Sequence, residues 1–321
     1  MIYLFLLIGF ILLMKGADYL IDGGVKIATI FGVSPLFIGL SIAAIGTSAP
    51  EAAVSIKAAV IAHSTISFGN ILGSNIANIG LVVGLSALLY TLSGRLSTIK
   101  NELPYSLFIT FILLLLVRDD WFGNNILVLS RIDGGVLIIF FFIYLVYLYR
   151  MAISDRKKLL LDRGLSSIKH SKKELLKASC LTIGGIIGVV FGAKLVVDNA
   201  INLAQSWGVS ETMISVTIIA LGTSLPEMAT SITAVRKGRC DIAIGNVVGS
   251  NIFNILFVLG ITSLIRPIQF SLVAFVDLII VISVTVLILI FIFTSRIISK
   301  KEGGVLLLFY LAYIVFVILR R

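Results

Sequence analysis

Between residues 16 and 84 the chain carries a text that it repeats 176 positions later. Gly16-Ala17 returns as Gly192-Ala193, Asp22 as Asp198, and Gly32-Val33-Ser34 as Gly208-Val209-Ser210. Glu51 falls on Glu227, Gly69-Asn70 on Gly245-Asn246, Gly73-Ser74-Asn75-Ile76 on Gly249-Ser250-Asn251-Ile252, Asn78 on Asn254 and Gly84 on Gly260. At an offset of 169, Asp133-Gly134-Gly135-Val136-Leu137 matches Glu302-Gly303-Gly304-Val305-Leu306. Matches this many, at so steady a spacing, mark an internal duplication. The chain is expected to fold as two related halves, residues 1–150 and 178–321, joined by the polar segment 151–177.

Each half is almost wholly apolar. Of the 321 residues, 59% are hydrophobic and 13% charged, where a soluble domain carries about 25% charged residues. With a mean hydropathy of +1.12, this composition belongs to an integral membrane protein. Ten spans are expected, near Met1–Ile21, Pro35–Ile61, Ser67–Ser93, Leu103–Val117 and Gly134–Tyr149, then Ala178–Ala200, Glu211–Val235, Ile242–Ile265, Leu272–Phe293 and Val305–Leu319. The first lacks a basic leader and an A-x-A-like cleavage site, so it reads as a helix and not as a signal peptide. Lys15 and Asp18, one turn apart, are expected to pair or snorkel. Arg150–Lys177, with nine Lys or Arg, reads as a solvated linker.

Five spans per half is an odd number, which turns the halves over relative to each other, as in many secondary transporters. Charge tests this arrangement. With the linker in the cytoplasm, eighteen Lys and Arg fall inside and six outside, which places both termini outside the plasma membrane. The net charge of +10 is then a topology signal, not a nucleic-acid footprint. Cys180 and Cys240 stand alone and read as small buried apolar side chains. His63 and His170 read as loop residues, so no histidine metal site or proton relay is expected.

The chemistry concentrates in Gly46-Thr47-Ser48-Ala49-Pro50-Glu51 and its copy Gly222-Thr223-Ser224-Leu225-Pro226-Glu227. A carboxylate inside an apolar run is costly and marks a functional site by default. Pro50 and Pro226 have no N–H for the carbonyl four residues back, and each ring crowds that carbonyl. Each helix is therefore expected to break, leaving carbonyls and hydroxyls at membrane depth, where they are tolerated only lining a cavity. Thr47 and Ser48 lie four and three residues before Glu51, on one helical face, and hard oxygen ligands around a carboxylate suit hard cations. On the third span Asn70, Ser74 and Asn78 recur every four residues as a polar stripe. Asn70 and Asn75 read equally well as helix glue, whereas Asn78 reads as a cation ligand.

GTSAPE at 46–51 and GTSLPE at 222–227, each followed by GNxxGSNIxN at 69–78 and 245–254, resemble the alpha repeats of the sodium/calcium exchangers, within the cation/calcium antiporters. The resemblance implies an all-α polytopic fold of ten transmembrane helices, two inverted five-helix repeats with helices two and seven broken. It implies no enzymatic activity and no cofactor. The implied cargo is Ca2+ and Na+, with H+ as a further candidate and no protein partner required. The implied ligands are Glu51 and Glu227, the hydroxyls of Thr47, Ser48, Thr223 and Ser224, the carbonyls of Ala44 and Ala220, and the side chains of Ser74, Asn78, Ser250 and Asn254. Some relatives carry aspartate at the position of Asn254; asparagine in both copies here argues against potassium co-transport.

Three other functions are compatible with parts of this pattern. A Ca2+/H+ exchanger needs only two protonatable glutamates, but the proton-coupled branch usually shows a GNxxE-type motif. A channel would use the same oxygens passively, yet inverted duplication argues for a carrier. A membrane-embedded enzyme would need a nucleophile or metal-bound water, and neither HExxH nor GxSxG occurs.

Overall fold

The computed structural model describes residues 2–61, 64–92, 96–117, 127–162, 171–208, 220–269, 272–295 and 297–319. His63 and His170 lie outside these residues, as does 211–219 of the seventh expected span. The elements run α1 Ile2–Phe31, α2 Pro35–Ile38, a π-helical turn Gly39–Ala43, α3 Ala44–Thr47, α4 Ala49–Val60 and α5 Ser64–Ala77. A second π turn, Asn78–Val83, leads into α6 Gly84–Leu89, followed by α7 Leu96–Val117, β1 Val128–Leu129, α8 Arg131–Asp162 and α9 Lys172–Ser206. Then come α10 Ala220–Gly222, α11 Leu225–Arg236, α12 Cys240–Phe253, a π turn Asn254–Leu259, α13 Gly260–Ile265, β2 Ile268–Gln269, α14 Leu272–Ser295 and α15 Lys300–Leu319.

The chain is a helical, multi-pass membrane protein. Seven helices among the described residues are long and apolar enough to cross a bilayer, and eight with the bent pair Pro35–Thr47 and Ala49–Val60 counted as one span. Helix extends into the polar segment from both sides among the described residues. α8 continues to Asp162 and α9 starts at Lys172, where Ser171 and Glu174 form a capping box. Lysine and arginine are good helix formers, so a charged stretch flanked by long helices extends them. The cysteines differ from expectation: Cys180 is exposed and Cys240 half-buried. Exposure of a cysteine within a span is no penalty where the surroundings are lipid.

The residues form two compact bodies. The first comprises 1–47, 145–249 and 314–321. Its spine is the pair α1 and α9, whose backbones meet through glycine. A Cβ on Gly16 would fall 2.5 Å from Val189 N, and one on Gly9 3.1 Å from Gly192 O. The seam is reciprocal, since Gly185 packs on Leu20 and Gly192 on Leu13. Small residues permit this closeness, and dispersion across it replaces the hydrophobic force that lipid cannot supply. Leu13, Ala17, Val189, Ala193 and Ala229 form the adjoining core, which ties α11 to the pair. α1 stops at Gly32, whose φ of +70° is the left-handed terminating conformation. Ser34 then caps α2, accepting from Phe37 N at 3.3 Å, with Pro35 at the first position.

The second body comprises 48–144 and 250–313. Here the duplicated Gly-Gly pairs find their use. A Cβ on Gly134 would fall 2.8 Å from Gly260 O, and one on Gly303 2.8 Å from Gly84 O. α8 thus packs on α13, and α15 on α6. The preceding acids cap these helices: Ser130 N donates to Asp133 at 2.7 Å and Ser299 N to Glu302 at 2.6 Å, with the serine hydroxyls accepting in return. One antiparallel pairing, Val128 with Gln269 and Leu129 with Ile268, joins two loops of this body.

Candidate functional site

Both broken helices restart alike. Ser48 (φ −81°, ψ 7°) and Ser224 (φ −86°, ψ 2°) leave helical geometry, and Pro50 and Pro226 sit in the first turn of the helix that follows. The pair Pro35–Thr47 and Ala49–Val60 is bent by 46°. Ladder bonds resume with Ala52 N donating to Ser48 O at 3.1 Å and Met228 N to Ser224 O at 3.0 Å. Glu51 and Glu227 therefore stand in the first turns of α4 and α11, where the helix dipole favours a negative charge. Both are fully buried.

Each body holds half of the residues expected to bind cations. In the first body are Ala44, Thr47, Ala220, Thr223, Ser224 and Glu227. Thr47 is buried, and its hydroxyl donates to Asn246 Oδ1 at 3.2 Å and lies 3.4 Å from Ala44 O. Asn246 in turn donates to Glu227 O at 3.4 Å and to Ser231 Oγ at 3.1 Å. One asparagine thus ties the end of α3 to the start of α11. Gly39, Gly245 and Gly249 allow this approach; a Cβ on Gly39 would fall 2.6 Å from Ile242 O. Ser224 is buried, and Thr223 half-buried.

The second body holds Ser48, Glu51, Ser74, Asn78, Ser250 and Asn254, all buried. Ser74 Oγ donates to Glu51 Oε1 at 3.1 Å. Asn70 donates to Glu51 O at 3.3 Å and Ser55 Oγ at 3.0 Å, matching the bonds of Asn246 in the other repeat. Asn70 is therefore a brace, and the polar stripe from Asn70 to Ser74 faces α4.

Four further asparagines interlock. Asn78 Nδ2 donates to Asn251 Oδ1 at 3.0 Å, and Asn254 Nδ2 to Asn75 Oδ1 at 3.1 Å. Asn75 and Asn251 each donate to the other's backbone carbonyl at 3.4 Å. Their amides fix which way Asn78 and Asn254 point. Asn78 Oδ1 and Asn254 Oδ1 are buried with no hydrogen-bond partner among the described residues. Leaving a buried acceptor unsatisfied costs about 1–3 kcal/mol, so a mirrored pair of such oxygens is a feature to be explained by a ligand. Both residues also open π turns, a helix defect concentrated at functional sites. Neither the turns nor the partners of Asn75 and Asn251 were anticipated. The nearest sequence signal was the doubled Ser-Asn-Ile-x-Asn itself.

Among the described residues no three His, Cys, Asp or Glu side chains cluster. The candidate ligands are one carboxylate per repeat amid neutral oxygens, a donor set for hard cations. Asp18 departs from expectation. Its partners are Arg236 at 2.7 Å and Lys237 at 3.1 Å, not Lys15. Packing of α11 against α1 brings two cations closer than the neighbour one turn away.

A helical membrane framework interrupted at two duplicated motifs, each with a fully buried glutamate in the turn that follows, points to a multi-pass transport protein. The sequence profile described as "Sodium/calcium exchanger protein" matches residues 1–150 and 177–319. The sodium/calcium exchanger MaX1 of Methanosarcina acetivorans is 33% identical over 340 aligned positions, covering 98% of this chain and 97% of that one. The inner membrane protein YrbG of Escherichia coli strain K12 is 36% identical, covering 82% and 79%. The solved structure of the sodium-calcium exchanger NCX_Mj soaked with 10 mM Na+ and zero Ca2+ superposes with a TM-score of 0.81 at 31% identity, covering 98% of this chain and 99% of that one. The chain belongs to the sodium/calcium exchanger family. It is a membrane antiporter of the cation/Ca2+ class, not an enzyme, and the family moves its ions as cargo without a cofactor.

Proposed function

We propose that this chain exchanges Na+ for Ca2+ across the plasma membrane by alternating access. In this reading ten spans form two inverted repeats, residues 1–150 and 178–321, with both termini outside and 151–177 on the cytoplasmic side. The cargo is held by Glu51 and Glu227, the hydroxyls of Thr47, Ser48, Thr223, Ser224, Ser74 and Ser250, the amide oxygens of Asn78 and Asn254, and the carbonyls of Ala44 and Ala220. The observation that carries it is the mirrored pair of buried amide oxygens on Asn78 and Asn254, oriented by a hydrogen-bonded lock. The names of MaX1 and NCX_Mj support sodium as the coupling ion.

The physical logic is charge balance. Two buried carboxylates resist ionisation until a cation compensates them. One Ca2+ does so, as do Na+ ions distributed over the oxygens. The empty, charged site resists crossing between faces while the filled one crosses, and this makes the exchange obligatory. The test is 45Ca2+ uptake into proteoliposomes with Na+, H+ or K+ gradients imposed singly. Uptake driven by Na+ alone is expected. Uptake driven only by a pH gradient would replace this reading with a Ca2+/H+ exchanger, and equilibration without any counter-ion would make the protein a channel.

A further inference from the structure

The duplicated motifs are alike, but the helix ends beyond them are not. At the end of α11, Arg236 pairs with Asp18 at 2.7 Å, and Lys237 reaches Asp18 at 3.1 Å and Asp22 at 2.8 Å. Lys237 Nζ also donates to Asp18 O at 3.0 Å. Two acids one turn apart on α1 thus hold two bases on α11. Shifted by 176 residues, Asp18 and Asp22 become Lys194 and Asp198, while Arg236 and Lys237 become Val60 and Ile61. With Val60 and Ile61 uncharged, these corresponding positions cannot repeat the clasp.

Behind it lies a second asymmetry. Glu227, Thr230 and Thr233 follow one another at intervals of three on α11, toward Lys237. Thr230 and Thr233 are fully buried, and neither hydroxyl has a hydrogen-bond partner among the described residues. A helical threonine ordinarily satisfies its hydroxyl on a carbonyl of the preceding turn. The corresponding residues of the first repeat are Val54 and Lys57. Ala229, on the same helix, packs against Leu13 and Ala17 of α1.

We propose that Asp18 and Asp22, clasping Arg236 and Lys237, form a latch that holds shut the cytoplasmic route to the ion site, and that Thr230 and Thr233 supply the cation-lining hydroxyls of that route. This rests on the exchange reading and its orientation. The latch works on one face only, so the exchanger is built with unequal gates. Releasing it lets α1 leave α11 and exposes a polar stripe leading to Glu227. The glycine seam between α1 and α9 keeps α1 attached to its partner while it does so.

The test uses full-length protein with Cys180→Ala and Cys240→Ala, carrying Thr230→Cys or Thr233→Cys, in spheroplasts and in inverted vesicles. A membrane-impermeant, positively charged methanethiosulfonate reagent reads access from each side. Adding Asp18→Asn with Asp22→Asn is expected to raise labelling about tenfold in inverted vesicles and leave it unchanged in spheroplasts. Reversing all four charges (Asp18→Lys and Asp22→Lys with Arg236→Asp and Lys237→Asp) is expected to return it toward the starting rate. No change in inverted vesicles, an equal rise from both sides, or a rise that the reversed set does not undo each overturns the latch. Na+-driven 45Ca2+ uptake, measured in parallel on protein that carries only Cys180→Ala and Cys240→Ala, separates the two claims. Absent uptake there with the labelling pattern intact removes the exchange reading and leaves only a one-sided closure between α1 and α11; normal uptake with unresponsive labelling removes the latch and keeps the exchange reading.

Discussion

The two broken helices of this exchanger are twins at the break and strangers at the far end. Around Glu51, Asn70 bonds the glutamate carbonyl and Ser55; around Glu227, Asn246 bonds the glutamate carbonyl and Ser231, with distances agreeing to 0.1 Å. One turn to three turns later the likeness ends, with Val54, Lys57, Val60 and Ile61 on one side and Thr230, Thr233, Arg236 and Lys237 on the other. Duplication hands both copies the same chemistry, and what remains identical is the set of residues proposed to hold the cargo. What has diverged is the set proposed to form the latch. On these two proposals, symmetry in the molecule separates binding from gating.

If the twins share the cargo, damage to either should be equally severe. Glu51→Gln and Glu227→Gln are each expected to lower Na+-driven 45Ca2+ uptake by at least about thirtyfold, since removing one partner of a buried charge interaction costs about 2–5 kcal/mol. A variant retaining more than a tenth of the uptake would break the equivalence and shift the load to the other acid. A smaller, sharper comparison lies at the amides. Asn78→Ala and Asn254→Ala each remove one oriented oxygen and are expected to raise the KM for Ca2+ about tenfold, in line with about 1–2 kcal/mol for one hydrogen-bonding group. Asn75→Ala and Asn251→Ala leave those oxygens in place but free them to turn, so a rise of only a few-fold is expected. Equal effects at all four would mean that the asparagines are merely a structural knot.

Much of this was legible in the sequence because it is written locally. Helix breaks follow from Pro50 and Pro226, whose missing N–H acts within one turn. What escaped depends on residues far apart in the chain. Asp18 was assigned to Lys15 because helical spacing makes that pair visible, whereas Arg236 lies 218 residues away. The π turns at Asn78 and Asn254 escaped for a similar reason. Nothing in their local propensity asks for a wider turn; Gly80 meets Tyr310 just there, so the packing is tertiary. Asp133 and Glu302 were seen as a match, but their capping role needed the serines that precede them to be in place.

The glycine seam sharpens the comparison in the first body, since α1 and α9 use matching positions, Gly16 and Gly192, against each other's backbone. Gly16→Ala places a carbon 2.5 Å from Val189 N. Because main chain must move, a loss of about 1–3 kcal/mol is expected, read as a lower midpoint in detergent melts. Gly192→Ala meets Leu13 in the same way and is expected to match it. A melt unchanged by either substitution would show that the pair separates freely.

The smallest effects belong to the capping boxes that begin α8 and α15. Asp133→Asn keeps a side-chain oxygen for Ser130 N but loses the charge that favours a helix start, and Glu302→Gln does the same for Ser299 N. Each is expected to cost only about 0.3–1 kcal/mol, the worth of a charge at a helix N-terminus, and to leave Ca2+ uptake unchanged. Detergent melts and uptake measured on the same preparations decide it. The comparison breaks if one cap matters far more than the other, or if either variant alters ion affinity. Either outcome would show that the Gly134–Gly260 and Gly84–Gly303 contacts beside these caps carry more than packing, and that the divide between binding and scaffold does not run where the repeats place it.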